Sequence, residues 1–300
     1  MKTHAIGIIG LGVMGREMAE MLADHPRFTV VAGFDPARPD VPFPLLGNEA
    51  EVVNAKNVDA IYTATPPAFH EDIVRLAVAA RKPFLCEKPL AHTIASARSS
   101  CEIVASAGIP AAVNFSYAAR GVAVQLARVV KGGGIGTVQG AHLRVRFGRW
   151  PRSWQSGAGA WLAGPAEGGF TREVVSHFVF LANRLFGAGR LTQCAVERGS
   201  AGTETKLTAT IAYPELNFTI DAGIGGDRDD DNRFQVTGSR GEISIVDWSL
   251  LEYAGDAGPS LPATSQLDAL ADMLDGKPHQ LASFAEGLAV AELIEEMLAR

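Results

Sequence analysis

Between residues 5 and 115, short unbroken apolar runs alternate with segments of helical spacing. The runs are Ala5–Ile9, Thr29–Phe34, Ala60–Ala64, Phe84–Cys86 and Ala111–Phe115. Between them, Met14–Ala23, His70–Ala80 and Ile94–Ala107 repeat apolar residues at the spacing of one helix face. Strand and helix in turn, with short connections, predict a parallel sheet covered by helices. Strands of such a sheet are buried on both sides and carry no polar alternation, which is how these runs read. Ligands of open parallel sheets bind beyond the carboxyl ends of the strands. The positions to watch are therefore Gly10–Gly15, Asp35, Thr65–Pro67, Glu87–Pro89 and Asn114–Tyr117.

From Thr137 the texture changes. Val138–Phe147, Leu191–Glu197, Glu204–Tyr213, Leu216–Ala222, Phe234–Thr237 and Glu242–Asp247 are longer runs with polar alternation. They predict a mostly antiparallel sheet with one wet face. The expected fold class is α/β: an N-terminal doubly wound parallel sheet of Rossmann type, then a C-terminal α+β domain with an open, mostly antiparallel sheet. The expected division is residues 1–118 for dinucleotide binding and 119–300 for substrate binding and self-association.

Composition narrows the function classes. The 300 residues carry 27 basic and 33 acidic side chains, a formal charge of −6. That argues against a nucleic-acid or anionic-membrane partner. No run reaches the roughly 18 uninterrupted apolar residues of a membrane span. Lys2 followed by Ala5–Met14 imitates a short signal peptide, but three glycines interrupt it and Arg16-Glu17 follow. It is read as a strand and loop of the mature fold. The 3 cysteines have no metal-type spacing, which fits reduced thiols and a cytoplasmic setting. No resident metal is expected.

G-L-G-V-M-G (Gly10, Leu11, Gly12, Val13, Met14, Gly15) follows a strand and opens a helix. Asp35 closes the next strand, 20 residues beyond Gly15. This is the pattern of a dinucleotide loop and its ribose-binding acid. Gly10 permits the tight turn, Gly12 lets the backbone approach a pyrophosphate, and Gly15 lets helix and strand pack closely. The helix N-terminus presents unpaired N–H groups to the phosphates. The plainer alternative is an ordinary strand–helix turn with an Asp in the next loop. Asp35 repels a 2′-phosphate and favours NAD. Arg38 can neutralise one, so NADP stays open.

Phe84-Leu85-Cys86 runs straight into Glu87-Lys88-Pro89. Adjacent strand residues point opposite ways, which sets Glu87 toward a nicotinamide ribose and Lys88 toward a substrate. Pro89 restricts Lys88 to extended backbone. A lysine beside a positive nicotinamide ring and partly desolvated has a lowered pKa, suited to proton transfer. A surface Lys-Pro turn with a local Glu–Lys pair is the alternative.

Phe170–Phe186 reads as one helix, in which Glu173 and His177, four apart, share a face. A carboxylate that orients an imidazole is a general acid/base arrangement, although surface Glu–His pairs have the same spacing. Residues 144–154, R-V-R-F-G-R-W-P-R-S-W, hold Arg144, Arg146, Arg149 and Arg152 with Trp150 and Trp154. They form either a strand with exposed alternate residues or a rim that receives an anionic ligand. Trp150, Trp154 and Trp161 can each pack against a sugar face.

In this order, G-L-G-V-M-G, A-T-P-P-A-F-H (residues 64–70), C-E-K-P-L-A and G-G-F-T-R-E-V-V-S-H (residues 168–177) resemble the glucose–fructose oxidoreductase / inositol dehydrogenase / MocA-type family of NAD(P)-dependent oxidoreductases. The resemblance spans roughly the first 180 residues. It implies that Lys88 acts at the substrate hydroxyl and that Thr65 and Pro66, with His70 closing the motif, line the cofactor site. It also implies that His177 is the catalytic histidine, with Glu173 where the family has Asp. Pro67 stands where the family often has Asn. In place of a tandem Arg pair after the strand at Asn114, the chain has Ser116, Tyr117 and a solitary Arg120. Tyr117, Arg120, Arg149 and Trp161 are the candidate substrate contacts. The implied activity is hydride transfer between NAD (or NADP) and a hydroxyl-bearing carbon of a sugar, polyol or related small molecule, in a homo-oligomer (dimer or tetramer). Two other readings stay open: a non-catalytic dinucleotide-binding regulator or scaffold, and an imine or enone reductase on the same fold.

Overall fold

The computed structural model describes residues 2–155, 160–255 and 266–300. By internal contact the chain forms two compact units, Met1–Phe115 with Gln266–Leu288, and Ser116–Ser265 with Ala289–Arg300.

The first unit contains β1 (His4–Ile9), α1 (Val13–Asp24), β2 (Phe28–Phe34), α2 (Glu49–Asn54), β3 (Ala60–Thr63), α3 (His70–Ala79), β4 (Phe84–Cys86), α4 (Ile94–Ala107) and β5 (Ala111–Val113). The strands form one sheet in the order β2-β1-β3-β4-β5. All four pairings are parallel, as the alternation predicts. Ile6, Ile8, Ile9, Ile61, Phe84 and Leu85 are buried, the two-sided burial that their unbroken apolar sequence requires. Among these helices, α2 and α4 start on side-chain caps: Asn48 accepts the Glu51 N–H, and Thr93 accepts the Ser96 N–H.

The strand ends align. Ile9 lies opposite both Phe34 and Thr63, Thr63 opposite Cys86, and Cys86 opposite Val113. The ladder continues one residue further: Gly10 N–H donates to Phe34 O (2.9 Å), Ala64 to Ile9 O (2.8 Å), Glu87 to Thr63 O (3.0 Å) and Asn114 to Cys86 O (2.7 Å). Gly10, Asp35, Ala64, Glu87 and Asn114 thus follow five strand ends along one edge.

The second unit holds α5 (Gly121–Lys131), β6 (Val138–Phe147), α6 (Ser176–Phe186), β7 (Arg190–Arg198), β8 (Glu204–Ala212), β9 (Asn217–Ile224), β10 (Asp231–Gly238), β11 (Gly241–Val246) and β12 (Leu250–Tyr253). Its sheet runs β12-β11-β10-β6-β9-β8-β7. Among the described residues only the β6–β9 pair is parallel, so the sheet is mostly antiparallel, as its alternation predicts. β12 is an additional strand that the sequence does not announce. Leu143, Val145, Phe147, Phe218, Phe234 and Phe178 build the core beneath it.

The chain then closes with α7 (Gln266–Leu274) and α8 (Phe284–Leu298). Gln266–Leu288 belongs to the first unit by contact, whereas the sequence assigns it to the second domain. Its helix spacing fits burial against either, and only long-range partners decide. Val113 N–H donates to Ala282 O at 2.8 Å, and the Phe284 ring meets Phe84 edge-on at 5.4 Å. Asp275 accepts from Arg27 at 2.8 Å and contacts His4 at 3.0 Å. No helix among the described residues is long and apolar enough to cross a membrane.

Candidate functional site

The glycine loop takes the form its sequence requires. Gly10 has φ +89°, and a Cβ there would lie 2.6 Å from the Ala64 backbone. A Cβ on Gly15 would lie 1.9 Å from the Gly10 carbonyl oxygen, so α1 approaches the loop more closely than any side chain permits. Gly12 is exposed, and a Cβ there would meet nothing within 4 Å. It is also the N-cap of α1, with no side-chain cap. Val13 and Met14 form the first turn behind it.

Asp35 faces this loop. Its Oδ2 accepts the Leu11 N–H at 2.7 Å and its Oδ1 the Ala37 N–H at 2.8 Å. Arg38, at φ +47°, donates to the Leu46 and Leu45 carbonyls at 3.2 and 3.3 Å. Along the edge, Thr65 Oγ1 lies 3.4 Å from Thr63 Oγ1 and Pro66 precedes a short 3₁₀ turn, Pro67–Phe69. His70 is fully buried, with Nε2 2.9 Å from Thr65 O and Nδ1 3.3 Å from Leu90 O. It braces the Thr65 loop from beneath.

At the end of β4, Glu87 is 6% exposed. Its Oε1 accepts from the Tyr62 hydroxyl at 2.7 Å and from Asn114 Nδ2 at 2.5 Å, and its Oε2 from the Lys88 N–H at 3.1 Å. Gln266 extends the chain, its Nε2 donating to Asn114 Oδ1 at 3.0 Å. The Lys88 side chain is half-buried and its bond to Pro89 is cis. Burial raises the Glu87 carboxyl above its ordinary value, opposed by the Lys88 charge and by these hydrogen bonds. Burial first and Glu87 second push the Tyr62 phenol well above 10.0, so Tyr62 stays protonated and donates.

A carboxyl whose folded pKa exceeds its unfolded pKa stabilises the fold fully below the unfolded value. That stabilisation is lost as pH rises through the folded value. Glu87→Gln removes the titration. We expect the urea midpoint of the variant to fall less than that of the wild type as pH rises from about 4 to 7. Parallel profiles would show that burial does not govern this carboxyl.

The second unit carries the other constellation. Thr171–Val175 is a π-helical turn that leads into α6, not the continuous α-helix expected over Phe170–Phe186. Glu173 sits in the π turn and His177 in the first turn of α6, both buried. Single π turns inserted in helices recur at functional sites. Arg172 anchors this one. It is 7% exposed and donates to both Glu295 oxygens (2.6 and 2.9 Å), to Pro165 O (2.9 Å) and to Gly168 O (2.8 Å).

His177 is 8% exposed, and its Nδ1 lies 3.3 Å from Ser116 Oγ. Trp248 meets its ring perpendicularly, centroids 5.5 Å apart. Trp248 also stacks on Tyr117 at 5.9 Å and leans on Phe178 at 5.3 Å. Its indole N–H donates to Asp230 Oδ2 at 2.9 Å, an oxygen that also accepts from Arg152 at 2.6 Å. Tyr117, expected at the substrate, is 2% exposed. Its hydroxyl has no hydrogen-bond partner among the described residues. Burial pushes its pKa far above 10.0. Arg120 is exposed and donates to Trp248 O at 3.3 Å.

Of the arginine-rich segment, Arg144 pairs with Asp231 (2.8 Å), Arg146 with Asp221 (2.5 Å) and Arg152 with Asp230 (2.6 Å). Arg152 also lies over Trp154, 4.6 Å from its centroid. Arg149 is exposed and Trp161 half-buried. Trp150 donates to Leu162 O at 3.2 Å and packs on Phe147 and Phe170. The sequence does not single out Trp248 or Asp230. The available signal is Asp-Trp in a hairpin turn, where Asn-Gly is the expected pair.

Comparison with known proteins places the first of these constellations. The profile of the GFO/IDH/MocA oxidoreductase family, NAD-binding Rossmann fold, matches residues 4–115. That match covers the first unit's parallel sheet and less than half of the chain. Inositol 2-dehydrogenase 2 of Paenarthrobacter aurescens is 34% identical over 124 residues, which cover 39% of this chain and 36% of that protein. The match thus spans about a third of the curated relative's length.

Solved structures resemble the whole chain at lower identity. The WlbA dehydrogenase of Bordetella pertussis, in complex with NADH and UDP-GlcNAcA, gives a TM-score of 0.83 at 16% identity, covering 99% of this chain and 96% of that one. An oxidoreductase of Agrobacterium radiobacter, in complex with NAD+, L-tartaric acid and magnesium, gives 0.84 at 18% identity, covering 100% and 97%. This likeness speaks to the fold. The Rossmann domain fits the cofactor in the matching family's description: open space over Gly12, an uncapped helix N-terminus behind it, and Asp35 hydrogen-bonded to the loop.

Proposed function

We propose that the chain is an NAD-dependent dehydrogenase that acts on a hydroxyl-bearing carbon of a sugar, polyol or related small molecule. The observation that carries this reading is the row of strand ends, which sets the glycine loop, Asp35, Thr65 and Glu87-Lys88 along one edge of one sheet.

Gly12 and the N–H groups of the first turn of α1 hold the pyrophosphate, and Asp35 holds the adenosine ribose. Asp35 also favours NAD over NADP by charge, and Arg38 already directs its guanidinium to two carbonyls. Thr65, Pro66 and His70 shape the cofactor wall. Glu87, fixed by Tyr62 and Asn114, faces the nicotinamide ribose and sets the backbone of Lys88. Bound NAD supplies the hydride acceptor.

Lys88 and His177 relay the one hydroxyl proton as the carbinol carbon gives up its hydride and becomes a carbonyl. With Nδ1 of His177 at Ser116, the proton moves at Nε2. Ser116 and Glu173 orient the imidazole, Ser116 at Nδ1 and Glu173 from one turn earlier on the same face.

The test is a screen of cyclitols, hexoses and alditols with NAD and with NADP, followed by absorbance of the reduced nicotinamide. Sustained turnover with at least one member, faster with NAD, is the expected result. Tight NAD binding without turnover on any member would leave a dinucleotide-binding regulator instead.

A further inference from the structure

Trp248 occupies the β11–β12 turn at φ +68°, next to Asp247 at φ +45°. A bulky side chain there is disfavoured, and Gly or Asn is the usual occupant. Backbone strain of this kind gathers where a side chain must be presented at a fixed place. All the polar groups of Trp248 are engaged within its own unit. The indole N–H donates to Asp230 at 2.9 Å, the main-chain N–H to Asn232 Oδ1 at 3.2 Å, and the carbonyl accepts from Arg120 at 3.3 Å. What it can offer a ligand is therefore its π surface. Tyr117 and Phe178 pack against the indole, His177 stands perpendicular to it at 5.5 Å, and Trp248 as a whole is only half-buried.

We propose that Trp248 is a specificity-determining residue: its indole is the wall against which a ring-shaped polyol packs its C–H face beside His177, so the site prefers cyclitols and pyranoses to linear alditols. The rigid clamp of Asp230, itself held by Arg152, keeps the wall in one orientation. A six-membered ring presents a flat array of C–H groups to such a surface, whereas a flexible alditol must first be ordered. The preference rests on the dehydrogenase reading only where it is measured as turnover; as binding it stands alone.

The experiment measures both. Binding of myo-inositol, methyl β-D-glucoside and D-sorbitol is followed by ligand-observed saturation-transfer NMR on the wild type, Trp248→Gly, Trp248→Leu and Trp248→Phe. Steady-state kinetics are run on whichever of these compounds turn over. Glycine suits the left-handed backbone and deletes the wall. Leucine keeps apolar bulk in the turn without a π face, and phenylalanine keeps a π face. We expect at least one cyclic compound to bind the wild type more tightly than sorbitol. That advantage should fall by about tenfold in the Gly and Leu variants and persist in Phe. Equal losses for cyclic and linear compounds, an undiminished preference in a folded Leu variant, or no cyclic binder in the wild type would each overturn the proposal. A wild type that binds the ring but does not oxidise it would sink the dehydrogenase reading and leave this one standing.

Discussion

Lys88→Met is expected to lower kcat by about 10²–10⁴, the usual loss when one acid/base group is deleted, while NAD still binds. The side chain is half-buried, and Glu87 is held by the Tyr62 hydroxyl, Asn114 Nδ2 and the Lys88 main-chain N–H, all of which the substitution keeps. Methionine has similar length and no proton to exchange, so the Glu87 network should persist. Calorimetry of NAD binding and steady-state kinetics on the best substrate from the screen separate the two effects. Undiminished turnover would remove Lys88 from the chemistry. A parallel loss of NAD affinity would recast it as a cofactor ligand.

Arg172→Met is expected to destabilise the fold by about 3 kcal/mol, the lower end for breaking a buried ion pair from one side. The lower end applies because Glu295 keeps 31% exposure. The variant leaves the Pro165 and Gly168 carbonyls without their guanidinium donor as well as stranding Glu295. Because Arg172 lies inside the π turn that delivers His177, activity should fall further than stability alone explains. A urea melt gives the first quantity, and kcat under fully folded conditions gives the second. A loss below about 1 kcal/mol would place this pair among ordinary surface ion pairs.

What the sequence shows and what it hides divide along physical lines. The strands of the parallel sheet, the loop from Gly10 to Gly15 and the charged end of β4 are legible because each is a local signal: an apolar run, a glycine spacing, an abrupt change of polarity. The π turn is not, since Thr171–Val175 carries the same apolar periodicity as the α-helix that follows. Ser116 and His177 are 61 residues apart, and Arg120 and Trp248 are 128 apart. No window along the chain contains either pair. Tyr117 shows the converse: a tyrosine after a strand end suggests a ligand contact, but two aromatic neighbours bury its ring. Three of the four arginines in residues 144–154 are paired with aspartates from β9, β10 and the loop before it, partners that only the sheet order brings near.

The return of Gln266–Leu288 to the N-terminal sheet has a consequence for biosynthesis. On a ribosome adding about 5–20 residues per second, the first unit waits roughly 8–30 s for its last piece after Phe115 has been made. Through that interval the Val113 end of β5 lacks the Ala282 partner and Phe84 lacks Phe284. Until then part of the domain's core stays open, and a chain that stops before Gln266 should be less soluble than the full one.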